Sequence, residues 1–238
     1  MARTKMTRHE LKETDEITSG LQIATEFVYR RKNEILVGVG AVVVLGAAIV
    51  GWRVYASNRD ANAQSQLGAV IQAFNDTTNL KTEKERYEKA IVEAQKVVET
   101  YRNHPAGQIA QYYIAMSQRG LGDNQKAEQS LQEVIQRGDE KLKGISQFAL
   151  ASIYKGQGET QKAVDAYKQL LDSGAYPKSA VLFELAKLSE LSKQASQAKE
   201  YYQRIVSEFA DSAFRAEADQ ALKRLGTPAE PTKDTPKP

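Results

Sequence analysis

The sequence predicts an all-α chain, a single N-terminal transmembrane helix followed by an α-solenoid of stacked helical hairpins. Three observations predict it. Residues 35–52, ILVGVGAVVVLGAAIVGW, form an 18-residue run with no charge. Beyond that run, apolar residues recur at the three- and four-residue spacing of one helix face. Small residues and glycines then return at a constant offset of 36 and next at 35.

The apolar run sets the topology. At about 1.5 Å rise per residue it is about 27 Å long, and continuing it through Val54 and Tyr55 reaches the roughly 30 Å of a bilayer's hydrocarbon core. Residues 35–55 are therefore read as the membrane helix. Arg30, Arg31 and Lys32 stand directly before it, and Trp52 and Tyr55 sit where interfacial aromatics anchor a span. A buried core helix rarely needs so many consecutive apolar positions. A cleaved signal peptide is disfavoured although Ala61-Asn62-Ala63 has the small-x-small form, because a 34-residue polar region precedes the run and the site falls 11 residues past Trp52. With no cysteine after the run, a lipoprotein anchor is excluded. Basic residues near the span are denser upstream than downstream, where only Arg53 and Arg59 occur before Lys81. The positive-inside rule then leaves residues 1–34 cytoplasmic and sends the rest across the membrane.

Composition narrows the function. The chain carries 33 basic and 30 acidic residues, a net charge of +3, which offers no electrostatic case for nucleic acid. There is no cysteine, and His9 and His104 fall on opposite sides of the span, so no thiolate or histidine metal cluster and no Ser-His-Asp set is in prospect. The expectation is no enzyme, no cofactor and no small-molecule substrate.

In chain order, residues 1–18 read as a disordered polar tail. Leu21, Ala24, Phe27, Val28 and Arg31 give residues 19–32 the spacing of a short amphipathic helix on the inner leaflet, or of an early start to the membrane helix. Residues 56–226 form the solenoid. A helix over 56–74 carries Leu67, Val70, Ile71 and Phe74 on one stripe, and a second over 83–101 carries Tyr87, Ala90, Ile91, Ala94, Val97, Val98 and Tyr101. Pro105 breaks the ladder between this and the next helix, and His104 reads as a helix-end residue.

The next helices span 107–119, 125–137, 145–155 and 160–171. Ala115, Gly122, Ala127 and Leu131 align with Ala151, Gly158, Ala163 and Tyr167 at an offset of 36, and Ala186, Ala198 and Tyr202 follow at 35. Residues 191–194 replace the glycine turn in that last unit. The period is close to the 34 residues of tetratricopeptide repeats. Ala115, Ala127, Ala151, Ala163, Ala186 and Ala198 are the expected close-approach points of paired helices, while Leu131, Tyr167 and Tyr202 fill the gap to the neighbouring unit. Gly122 and Gly158 supply tight turns. Gly156-Gln157-Gly158 is no phosphate loop, since no strand precedes it and no Gly-Lys-Ser/Thr follows. A last helix over 212–225 caps the stack, and residues 227–238, with four prolines in twelve residues, read as a disordered Pro-rich tail.

The order of parts resembles a known family. The basic, partly aromatic stretch of Phe27, Tyr29, Arg30 and Asn33, the glycine-punctuated span ending in Gly51-Trp52-Arg53, and the divergent repeat domain are similar to the YfgM-like membrane proteins of bacteria, the ancillary subunit of the SecYEG translocon. The resemblance covers residues 20 to about 225. It implies an inner-membrane anchor, a periplasmic repeat domain, and protein partners that include the translocon and a membrane-tethered periplasmic chaperone. Carried over to this chain, it assigns membrane placement to Gly51, Trp52 and Arg53. The extra residues 1–18 and the proline-rich tail depart from it.

The shape implies the kind of surface. The first helices of stacked hairpins make a concave wall, and Tyr112, Tyr113, Phe148 and Tyr154 are its candidate binding aromatics; each also fits a core position. The alternative to the translocon reading is a periplasmic scaffold for envelope assembly or cell division, with the same fold and a different partner.

Overall fold

The computed structural model describes residues 29–80 and 82–226 together with Thr25. The expected tails at 1–18 and 227–238, and most of the amphipathic segment 19–32, lie outside the described residues. The chain divides into two units, Met1–Asp60 and Ala61–Pro238. Helix α1, Lys32–Asn75, begins in the first and ends in the second.

Within the first unit, α1 is long and apolar enough to cross a membrane. Every side chain from residue 36 to residue 55 is exposed, among them Leu36, Val37, Val42, Val43, Val44, Leu45, Ile49 and Val50. Trp52 and Tyr55 stand one turn apart with ring centroids 6.3 Å from each other.

The second unit is all helical among the described residues: residues 61–75 of α1, then α2 (Glu83–Tyr101), α3 (Pro105–Gly120), α4 (Asn124–Arg137), α5 (Glu140–Gly156), α6 (Thr160–Ser173), α7 (Lys178–Leu191), α8 (Ala195–Glu208) and α9 (Arg215–Gly226). From α2 onward each helix packs on its neighbours in the chain, and α3 also reaches α5. This is a tetratricopeptide-like solenoid of antiparallel pairs.

Local chemistry sets the helix starts. At α2 the Thr82 hydroxyl accepts the Glu85 N–H at 3.1 Å while the Glu85 carboxylate accepts the Thr82 N–H, a reciprocal cap. At α3, His104 Nδ1 accepts the Ala106 N–H at 3.1 Å, and Pro105 takes the first helical position, where its missing N–H costs nothing. The helix therefore opens at Pro105 rather than at 107. Asp139 caps α5 by accepting the Leu142 N–H at 2.8 Å. That helix starts five residues before the apolar periodicity at Ile145, because its first turn holds a single apolar residue, Leu142, ahead of the stripe. In contrast, α9 starts late, at Arg215: Ser212 Oγ accepts the Phe214 N–H and holds residues 212–214 in a turn.

Three turns between paired helices share one conformation. Gly122 has φ +85°, Gly158 φ +76°, and Lys193, which follows Gly158 at the offset of 35, φ 60°. Glycine enters that left-handed region without penalty, whereas a lysine does so at a cost of about 1 kcal/mol.

The core runs through the unit as successive clusters. Ala63, Leu67, Val70, Ala94, Val97, Tyr101, Ala106, Ala110 and Ile114 join α1, α2 and α3. Ala115, Ala127, Leu131, Ala149 and Ile153 join α3, α4 and α5. The largest cluster ties α5 to α9 and contains Ala151, Ala163, Tyr167, Ala186, Ala198 and Tyr202. Ala115, Ala127, Ala151, Ala163, Ala186 and Ala198 have no accessible surface.

Candidate partner-binding wall

The first helices of the pairs are joined to one another by polar bridges. Arg119 on α3 donates to Ser152 Oγ on α5 at 3.1 Å. Lys155 on α5 pairs with Glu184 on α7. Lys187 and Glu190 on α7 pair with Glu217 and Arg224 on α9, at 3.8 and 2.6 Å. Such bridges require α3, α5, α7 and α9 to lie side by side, so they present one wall. Each exposed pair stabilises by no more than about 1 kcal/mol, so the bridges report the arrangement more than they cause it.

Two cavities open on this wall around one pair of tyrosines. A cavity of about 470 Å³ is lined by Phe74, Tyr87, Tyr112, Tyr113, Met116, Arg119 and Gly120. Its rings form a continuous set: Phe74 meets Tyr87 at 5.5 Å and Tyr113 edge-on at 5.2 Å, and Tyr113 meets Tyr112 at 6.1 Å. The neighbouring cavity, about 310 Å³, is lined by Pro105, Gln108, Ile109, Tyr112, Tyr113, Asp139, Lys141, Leu142 and Ile145. Gly120 shapes the first cavity. A Cβ there would come within 2.3 Å of the Tyr87 ring, so only glycine lets that ring lie against the end of α3. Burial pushes the Tyr112 phenol above its usual range, with Tyr176 and Tyr113 adding to the shift and Arg119 opposing it.

At the far end of the wall a cavity of about 820 Å³ lies between α7 and α9, lined by Lys187, Glu190, Tyr202, Glu217 and Arg224 among others. Its charges are already paired with each other. Burial, and then a hydrogen bond to Glu190, pushes the Tyr202 phenol upward. Among the described residues no group of three or more His, Cys, Asp or Glu is placed to hold a metal ion.

Of the aromatics picked out in the sequence, Tyr112 and Tyr113 line both of the first two cavities. Phe148 and Tyr154 line neither. Phe148 is half-buried, stacked on Tyr176 at 4.3 Å and edge-on to Tyr167 at 5.3 Å. The Tyr154 hydroxyl donates to Glu128 Oε1 at 2.7 Å across the seam between α4 and α5, and Lys162 lies over its ring at 5.5 Å. Burial, then that hydrogen bond, pushes the Tyr154 phenol up to about 12. In the first unit, Arg30, Arg31, Lys32, Gly51, Trp52 and Arg53 are all exposed; Arg31 pairs with Glu34 at 3.5 Å and Lys32 lies 5.6 Å from the Tyr29 ring. Sequence reasoning did not assign Phe74, Tyr87, Met116 or Arg119 to the wall. The first two were visible as helix-stripe residues, and only tertiary packing brings them beside Tyr113.

Known proteins share this architecture. The family model described as a tetratricopeptide repeat-like domain matches residues 29–174, more than half of the chain, and a tetratricopeptide repeat model matches residues 180–212. The chain belongs to the tetratricopeptide repeat-like domain family. Members of this family are generally non-enzymatic scaffolds, and the repeats mark a protein–protein interaction module. No curated protein matches the chain. Among solved structures, a Podosopora anserina protein of nearly identical TPR-like repeats, assigned to the kinesin light chains, superposes with a TM-score of 0.54 at 20% identity, covering 69% of this chain and 85% of that one. A tetratricopeptide repeat protein of Parabacteroides merdae gives 0.52 at 17% identity, covering 68% of this chain and 60% of that one. At such identities the likeness is one of fold.

Proposed function

We propose that the chain is a single-pass membrane protein whose repeat domain holds a segment of a partner protein against the α3–α5–α7–α9 wall. The observation that carries this reading is the pair of cavities sharing Tyr112 and Tyr113, an aromatic surface on a wall whose far cavity is lined by charges already paired with each other. Aromatic anchors of this kind supply most of the affinity of protein interfaces. The first unit supports the membrane part. Its apolar side chains between residues 36 and 55 are all exposed, and each Val, Leu or Ile removed from water gains about 1.5–3 kcal/mol, which a bilayer provides. With Arg30, Arg31 and Lys32 on the cytoplasmic side, the repeat domain faces the periplasm of a bacterial inner membrane. The resemblance to the YfgM-like family then directs the wall to exported proteins at the SecYEG translocon, together with a membrane-tethered periplasmic chaperone.

The test places a photocrosslinking amino acid at position 112 in intact membranes, with position 92, exposed on the outer side of α2, as the comparison. Translocon subunits or a periplasmic chaperone should be captured from position 112 and not from 92. Capture of cell-wall or outer-membrane assembly factors would replace the translocon by an envelope scaffold. A reporter active only outside the cytoplasm should work when fused after Leu225 and fail after Thr18; the reverse result overturns the periplasmic assignment.

A further inference from the structure

The polar bridges of the wall follow the repeat, and one rung closes without an ion pair. Arg119, Lys155 and Glu190 occupy the same register, at offsets of 36 and 35, each the penultimate residue of its helix. Lys155 is paired with Glu184 on the next first helix, and Glu190 with Arg224 on the one after. The residue of α5 that corresponds to Glu184 is Ala149, so among the described residues no carboxylate stands opposite Arg119. Arg119 bonds instead to the neutral hydroxyl of Ser152, and its side chain is exposed. It also lines the 470 Å³ aromatic cavity, which has no carboxylate in its lining. Arg86, which lies over the Tyr87 ring, is engaged with Glu83 at 3.1 Å. One full positive charge is thus left at the rim of an apolar cavity, at the position where the other two units close an ion pair.

We infer that this rung is completed by the partner: the cavity takes a bulky apolar side chain of an extended peptide segment, and Arg119 pairs with an Asp or Glu one or two residues from that anchor. The spacing follows from the helix. Met116 and Arg119 are one turn apart on α3, about 5 Å along its axis, and an extended chain covers about 3.3 Å per residue. A guanidinium is suited to the task because it presents a fork of donors to a carboxylate and stacks on aromatic faces. The inference rests on the wall being the binding surface and adds the chemistry of what it selects.

The test is a selection of displayed random peptides on the full chain in lipid nanodiscs, run in parallel on R119Q, R119K and Y113A. Wild type should enrich peptides with a large apolar residue followed or preceded at one or two positions by Asp or Glu. For the best such peptide, R119Q should weaken binding about tenfold and lose the acidic preference, whereas R119K should keep it. High salt should erode the acidic preference in wild type, since an exposed pair is screened. Y113A should lose the apolar preference. Enrichment of apolar residues without an acidic neighbour, or an acidic preference unchanged in R119Q, overturns the pairing and leaves the wall as the binding surface. Selection of no peptide that depends on Tyr113 overturns both. Unchanged thermal unfolding of R119Q and R119K relative to wild type shows that the loss lies in recognition rather than in folding.

Discussion

At Gly144, local propensity and tertiary packing disagree in sign, which makes it a strong test of how the helices approach. Inside a helix alanine is favoured over glycine by about 1 kcal/mol, so Gly144→Ala would stabilise α5 in isolation. In the folded domain a Cβ at that position would lie 2.0 Å from the Ala175 carbonyl oxygen, 2.7 Å from its carbon and 3.2 Å from its Cβ. Carbon and oxygen rest at about 3.3 Å, so the loop between α6 and α7 must retreat by more than 1 Å. Ala175 precedes Tyr176, whose ring stacks on Phe148, which in turn packs on the fully buried Tyr167. Retreat therefore opens the largest core cluster. Overpacking against backbone belongs at the upper end of the range of about 1–3 kcal/mol, leaving a net loss of about 2 kcal/mol after the propensity gain. For a domain of this size each kcal/mol moves the melting midpoint by about 2–4 °C, so the expected fall is about 4–8 °C. The measurement is the helical circular dichroism signal of the full chain in detergent, followed through heating. Gly68 on α1 is the comparison, since nothing lies within 4 Å of a Cβ built there; Gly68→Ala should raise the midpoint by about 2–4 °C. If Gly144→Ala rose in step with Gly68→Ala, the close approach of α5 to the α6–α7 loop would be refuted.

Further outcomes follow from the turns and the seam. At the third turn Lys193 holds φ 60° where Gly158 holds φ +76° one unit earlier, so Gly158→Lys should destabilise by about 1 kcal/mol. Lys193→Gly should stabilise by about 0.5 kcal/mol, less than the strain relieved because glycine also loosens the unfolded chain; equal midpoints for the two variants would contradict the shared geometry. The Tyr154 phenol, pushed up to about 12 by burial and by its hydrogen bond to Glu128, stays neutral in the fold at pH values where the unfolded chain ionises. Its contribution is complete below the ordinary value of 10.0 and is lost as pH rises from there toward about 12. Unfolding midpoints measured across that window should fall more steeply for wild type than for Tyr154→Phe, and parallel curves would count against the Tyr154–Glu128 bond.

What the sequence by itself determined is whatever repeats or is local. The membrane-length run at 35–55 needs only composition, and the class of fold needs only the apolar period. The offsets of 36 and 35 place six alanines that the structure leaves without accessible surface, because antiparallel helices can approach closely only at small side chains and the same approach recurs in every unit. The turn conformation was legible at Gly122 and Gly158 and illegible at Lys193, since a lysine carries no mark of a left-handed backbone. The start of α2 agrees with the sequence reading at Glu83, where Thr82 and Glu85 carry a capping pattern in the sequence itself. The start of α5 was missed: Leu142 is the one apolar residue of its opening turn, which the Asp139 cap holds in place ahead of the apolar stripe.

Only the tertiary structure decided which residues make the wall. Helical spacing could not sort the four aromatics, because it shows which face of a helix is apolar and not what that face meets. The stack turns Phe148 onto Tyr176 and Tyr167, ties Tyr154 to Glu128, and leaves Tyr112 and Tyr113 open beside Phe74 and Tyr87 from other helices. Arg119 gains its meaning in the same way. Its carboxylate partner is missing from a helix about 30 residues away, and that vacancy can be seen only once Lys155 and Glu184 are found side by side. Contacts between first helices join residues about one repeat length apart, a distance over which no local pattern in the chain can signal a pair.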